Sequence, residues 1–177
     1  MEYLEQTLRH ERVDLGPLME RVVDGLQPLA REKRVDLALD GPPGHCLVEG
    51  DAHLLERAVE NLLDNALRYT PSGGRIMVQW STAADRVTFA VADTGPGIAA
   101  EDLSHFFDPL YKGDASRNPE AGGVRLGLRI ARRTLRAHRG DLTAANREGG
   151  GAVFTDWIAT SPTAGEQDEL IGVASER

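Results

Sequence analysis

Apolar residues at helical spacing open the first regular stretch of the chain. Leu15, Leu18, Met19, Val22, Val23, Leu26, Leu29 and Ala30 share one face, and Asp14 stands where an N-cap belongs. Gly16 and Pro17 suit a first turn, whereas Gly25 and Pro28 weaken or kink the later ones. Residues 1–13 are polar and helix-prone, and are expected to be a linker or the end of a preceding helix. The period then changes to two. Val35, Leu37 and Leu39 alternate with polar residues until Gly41-Pro42-Pro43, and a short strand is expected near Cys46–Glu49. Asp51 caps a long amphipathic stretch that runs to about Tyr69 and is stopped by Pro71 and Gly73-Gly74. Ile76, Val78 and Trp80, then Val87, Phe89 and Val91, alternate as two strands of a hairpin.

Beyond the hairpin, residues 101–107 read as a short helix and 108–123, polar and aperiodic, as a mobile loop. A helix is expected from about Leu126 to Arg139, stopped by Gly140. Two strands, near Leu142–Asn146 and Ala152–Ile158, flank the turn Glu148-Gly149-Gly150-Gly151, and the polar tail 161–177 is expected to be disordered. Strands follow one another directly, which excludes alternating βαβ order. The pattern predicts an α+β two-layer sandwich over residues 14–160, its mixed, mainly antiparallel sheet covered on one face by helices.

Composition narrows the function. A net charge of −8 argues against nucleic acid as a partner. The basic residues are uneven: Arg129, Arg132, Arg133, Arg136 and Arg139 crowd one segment, either as a solvated helix face or as a docking surface for an acidic partner. The single cysteine, Cys46, excludes both a disulfide framework and a cysteine-based metal site, and fits a reducing compartment. No apolar run approaches the roughly 20 residues that cross a bilayer, so no membrane contact is expected.

Three features carry candidate chemistry. On the long helix, with Leu54 at 0° and about 100° per residue, the apolar positions span about 220°. Asn65 falls inside that arc and Asn61 on its edge, one turn earlier. A buried unpaired amide costs roughly 1–3 kcal/mol. Each asparagine therefore either caps a neighbouring loop or offers its oxygen to a hard cation such as Mg²⁺. In Asp93-Thr94-Gly95-Pro96-Gly97, a carboxylate continues the inner face of Val87, Phe89 and Val91. It either caps its own turn or accepts from a ligand amine such as that of adenine. Gly122-Gly123-Val124-Arg125-Leu126-Gly127-Leu128, directly before the expected helix, is either a hinge or a phosphate cradle at a helix N-terminus.

Taken in order, these segments resemble sensor histidine kinases. Asn61-Leu62-Leu63-Asp64-Asn65-Ala66 is similar to their N box, with Tyr69-Thr70-Pro71 after it. Asp93-Thr94-Gly95-Pro96-Gly97-Ile98 is similar to the first glycine box, and Phe106-Phe107-Asp108-Pro109-Leu110-Tyr111-Lys112 to the F box. Gly122 to Leu128 resembles the second glycine box, and Gly149-Gly150-Gly151-Ala152-Val153-Phe154 the closing glycine hairpin. The resemblance covers about residues 14–160.

It implies a Bergerat-type ATP site of the GHKL superfamily with ATP and Mg²⁺ as cofactors. By that similarity Asn65 ligates Mg²⁺, with Asn61 next to the metal or phosphates, and Asp93 binds the adenine amine. Gly95 and Gly97 shape the adenine end. Gly123, Arg125, Leu126 and Gly127 border the triphosphate, and the loop 108–123 is an ATP lid whose Tyr111, Lys112 and Arg117 reach the nucleotide. The implied activity is transfer of the γ-phosphate to a histidine on a separate helical dimerisation domain, in a cytoplasmic domain that is monomeric in isolation. A response regulator is the implied downstream partner. Two departures stand out. Arg125 replaces a usual glycine; a required positive φ there would cost on the order of 1–2 kcal/mol. It motivates the alternative of a degenerate module that binds a partner and hardly any nucleotide. The phosphoacceptor box is also missing: His10 lacks a His-Glu/Asp-x-x-x-Pro setting, and His45, His53, His105 and His138 read as ordinary structural or surface residues. Related ATPases such as type II topoisomerases carry a glutamate near position 61, so Asn61 argues against efficient hydrolysis. Anti-sigma serine kinases share the fold and are the nearer rival.

Overall fold

The computed structural model describes residues 9–42, 44–108 and 119–160, with the backbone alone described for 119–125. The first element, β1 (Glu11–Asp14), begins within the stretch expected to be linker; it pairs antiparallel with β3 (Leu47–Gly50). Helix α1 (Leu15–Lys33) starts where Asp14 caps it, the carboxylate accepting from Gly16 N at 3.3 Å and from Cys46 N at 3.0 Å. Pro28 is accommodated within it, and Arg34 ends it at φ 58°. Leu15, Leu18, Met19, Val22, Val23 and Ala30 are buried, but Leu29 is exposed, so the apolar stripe narrows in the last turns.

The main sheet has five strands in the order β2 (Asp36–Asp40), β4 (Arg75–Thr82), β5 (Arg86–Asp93), β7 (Ala152–Ala159), β6 (Asp141–Asn146). Only β2 and β4 run parallel. The expected α+β sandwich is therefore present. Helix α2 (Ala52–Tyr69) crosses the inner face, its first turn capped by Asp51, which accepts from His53 N and Leu54 N at 3.1 Å each. Leu55, Leu62, Leu63 and Leu67 of α2 meet Ile76, Val78, Phe89, Val91 and Phe154 of the sheet in one core. Each such side chain contributes about 1.5–3 kcal/mol through burial.

After β5 come a one-turn helix α3 (Ala100–Leu103), shorter than expected, and α4 (Pro119–Ala137), which packs along α2 and against β6. Helix α4 begins seven residues before the expected start. Gly122 to Leu128 thus lies within a helix rather than ahead of one. Pro119 explains the early start, because a fixed φ and a missing N–H cost nothing at a first helical position. Leu128, Ala131 and Leu135 then continue a buried stripe at helical spacing. At its far end, His138 Nδ1 donates to Thr134 O at 2.7 Å while Nε2 accepts from Asp51 N at 3.0 Å. The His138 ring therefore ties the end of α4 to the cap of α2.

One inner-face position breaks the apolar pattern. Asp156 of β7 is fully buried between Phe154 and Ile158, and neither carboxyl oxygen has a hydrogen-bond partner. Burial pushes its pKa well above the usual carboxylate range.

Candidate nucleotide site

The three candidate segments converge at one end of the sandwich. Helix α2 presents Asn65, buried at 6% exposure, and Asn61, half-buried one turn earlier. Neither amide forms a hydrogen bond to any described residue. Among the described residues, neither asparagine caps a neighbouring loop. Helix α4 meets α2 here: a Cβ placed on Gly127 would lie 2.9 Å from Asn61 Oδ1, so a larger residue there would have to displace that amide. Neighbouring Leu126 is exposed at 54%.

Asp93 ends β5 on its buried side. Its Oδ1 accepts from Gly95 N at 2.8 Å and from Ala152 N at 3.3 Å. The turn-capping role is thus real, yet it occupies one oxygen; Oδ2 takes no hydrogen bond among the described residues. The turn after Asp93 is tight. A Cβ on Gly95 would lie 2.8 Å from Tyr69 O at the end of α2. Gly97 has φ 77° and Gly151 φ 91°, values that L side chains rarely adopt, and a Cβ on Gly151 would strike Asp93 O. The closing hairpin and the first glycine turn are therefore fitted to each other.

Phe106 and Phe107 stack edge to face at 5.2 Å, and Phe106 also packs on Phe154 at 5.7 Å. They anchor the start of the expected lid to β7. Arg132 lies 4.6 Å over the Phe107 ring and, with Arg136, binds Asp141 at 2.7 and 3.0 Å. Burial works to raise the Asp141 pKa, but the two guanidinium groups and Leu142 N–H outweigh it and hold the carboxyl well below its usual range. Part of the arginine cluster is thus spent inside the fold. Tyr111, Lys112 and Arg117 lie outside the described residues. Gly123 and Arg125 fall on the backbone of α4, and helical geometry at 125 means that no positive φ is required there.

Two site residues were not anticipated. Asn146 closes on Ile98 with both amide atoms, and Arg147 Nη1 donates to Asp93 O at 2.8 Å. A polar pair at the end of a strand carries no periodic signal that could single them out. A separate open groove of about 510 Å³, lined by Asp14, Glu20, His45 and Trp80 among others, includes no residue of the five motifs.

Comparison with known proteins bears on the family and the fold. Residues 50–162 match the family described as histidine kinase-, DNA gyrase B-, and HSP90-like ATPase. Sensor protein SphS of Synechococcus elongatus is 41% identical over 142 residues, covering 77% of this chain and 34% of that protein. Sensor histidine kinase CpxA of Escherichia coli is 33% identical over 154 residues, 87% of this chain and 33% of CpxA. The chain therefore spans about a third of the length of these relatives. Among solved structures, full-length ShkA in complex with AMPPNP superposes with a TM-score of 0.72 at 28% identity, covering 86% of this chain and 32% of that one. The catalytic domain of ThkA superposes at 0.76 with 24% identity over 87% of this chain and 99% of its own, a likeness of fold. No described helix is long and apolar enough to cross a membrane. The chain belongs to the histidine kinase-, DNA gyrase B-, and HSP90-like ATPase family and has the ATP-binding catalytic domain of a sensor histidine kinase.

Proposed function

We propose that this domain binds Mg-ATP between α2, the Asp93 turn and α4, and presents the γ-phosphate to a histidine on a separate helical dimerisation domain, with a response regulator as the downstream partner. One observation carries the reading. Three polar groups at one end of the fold, the amides of Asn61 and Asn65 and Asp93 Oδ2, take no hydrogen bond from the described residues, on side chains that are half-buried in Asn61 and buried in Asn65 and Asp93.

Their chemistry differs in a useful way. Amide oxygens are hard ligands, so Asn65 and Asn61 suit Mg²⁺, which keeps several waters and shares phosphate oxygens with the protein. Bound there, Mg²⁺ would neutralise phosphate charge. The free oxygen of Asp93 accepts hydrogen bonds, so it suits the exocyclic amine of adenine. Oδ1, held by two main-chain N–H groups, fixes the direction in which Oδ2 is offered. Gly127 leaves Asn61 open to an extended phosphate chain. Lys112 and Arg117 are proposed as additional phosphate contacts and Tyr111 as part of the lid. No glutamate stands at position 61 to activate water, which favours transfer over hydrolysis.

Calorimetric titration with Mg-ATP tests the reading directly. The wild-type chain binds with a Kd well below millimolar; Asn65→Ala loses Mg-dependent binding while its circular dichroism and melting stay those of a folded protein. Unchanged Mg-ATP affinity in the folded variant would remove Asn65 from the site. Millimolar or absent binding in the wild type would favour the degenerate module.

A further inference from the structure

The turn that follows Asp93 has little to hold it. Pro96 has no N–H to donate, and Gly97 sits at φ 77°. From Pro96 to Ile98, the only main-chain hydrogen bonds formed to described residues come from one side chain, Asn146. Its Oδ1 accepts from Ile98 N at 2.7 Å and its Nδ2 donates to Ile98 O at 2.7 Å. The amide thus imitates an adjacent strand, closing a two-bond ring on a residue 48 positions away in sequence. Gly97 is shaped to this contact, since a Cβ there would lie 2.8 Å from Asn146 Oδ1. The next residue holds the other end of the turn: Arg147 Nη1 donates to Asp93 O, and Ala152 N, just past the hairpin, to Asp93 Oδ1.

Resting on the reading of Asp93 as the adenine acceptor, we propose that Asn146 is a positioning residue for base recognition, clamping the Gly95–Ile98 turn to the end of β6 so that the base pocket keeps its shape. Asn146 need not touch the nucleotide. It acts by excluding conformations of a proline- and glycine-containing turn in which the pocket could rearrange to accept a base other than adenine. The clamp needs both atoms of an amide. Asparagine supplies one donor and one acceptor at a fixed spacing. A carboxylate would keep the bond from Ile98 N–H and turn a second acceptor toward Ile98 C=O.

The test compares Kd for Mg-ATP and Mg-GTP in the wild type, Asn146→Ala and Asn146→Asp. Discrimination between the bases is read as the ratio of the two constants. That ratio cancels any loss of folded protein, which weakens both nucleotides alike, so a purely structural role would not move it. The expected result is a fall in the ratio on the order of tenfold in both variants. Hydrogen exchange at Ile98 N–H accelerates in Asn146→Ala. If Asn146→Ala does not fold, Asn146→Asp carries the test, because it keeps the bond from Ile98 N–H and replaces the one to Ile98 O by an acceptor–acceptor contact. An unchanged ratio in a folded variant, beside a discriminating wild type, overturns the clamp and leaves the Asp93 reading standing. A wild type that binds both nucleotides equally overturns the Asp93 reading, and the clamp with it.

Discussion

Asp156 gives a stability prediction that owes nothing to the nucleotide. It is fully buried on the inner face of the sheet with both oxygens unpartnered, and its folded pKa is raised well above the ordinary value of 3.8. Below pH 3.8 the carboxyl is protonated in both the folded and the unfolded chain, and the pH has no leverage through it. Above that value the unfolded chain releases the proton while the native state keeps it. The native state then binds more protons than the unfolded one, and stability falls by about 1.4 kcal/mol per pH unit until the folded pKa is reached. The loss continues for as long as the native form stays protonated. An asparagine in its place would be close to the same size and neutral at every pH. Urea unfolding of wild type and Asp156→Asn at half-unit steps from pH 5 to 8 isolates the effect, because other titrating groups are common to both. The variant is expected to gain on the wild type as pH rises, and its midpoint at pH 7 to lie above that of the parent. A stability difference that stays flat across the range would refute the buried, protonated carboxyl, as would a variant that loses ground with rising pH.

Three further outcomes are expected. The chain prefers ATP to GTP by a factor on the order of 10⁴, the scale at which a site built to bond one ligand group rejects an analogue lacking it; competition binding measures this, and Asp93→Ala abolishes the preference. By itself the chain neither autophosphorylates nor turns over ATP quickly, because phosphoryl transfer needs an in-line acceptor; incubation with γ-labelled ATP and an acid-stability test checks it. Stoichiometric acid-labile label that disappears in His10→Ala would contradict this. Cys46 resists alkylation at pH 8 until the chain unfolds, since burial first and Asp14 second push its thiol up to about 12; rapid modification of folded protein by iodoacetamide would show otherwise.

Local patterning was a good guide wherever a residue's environment follows from its neighbours in sequence. Both aspartate caps were legible, since a cap is a contact within a few residues: Asp14 before α1 and Asp51 before α2. The period of two in Val87, Phe89 and Val91 put Asp93 on the inner face, where it is found. The same period in Ala152, Phe154 and Ile158 puts Asp156 inside too, although no motif drew attention to it. The start of α4 was not legible because two glycines and a polar stretch give residues 119–125 no apolar period.

The order of motifs along the chain was enough to indicate the family, because each box is a short local run. Which groups remain unpartnered was not. Asn65 lacks a hydrogen bond to the described residues because none of their loops folds over it, and Asp93 has a free oxygen only because Ala152 and Gly95 both bind the other one. The bonds from Asn146 to Ile98 span 48 residues and depend on the β6–β7 hairpin arriving beside the Asp93 turn. Sequence periodicity reports which face a side chain occupies; the identity of the partner across that face is decided by topology, and here the topology decides which polar groups are left for a ligand.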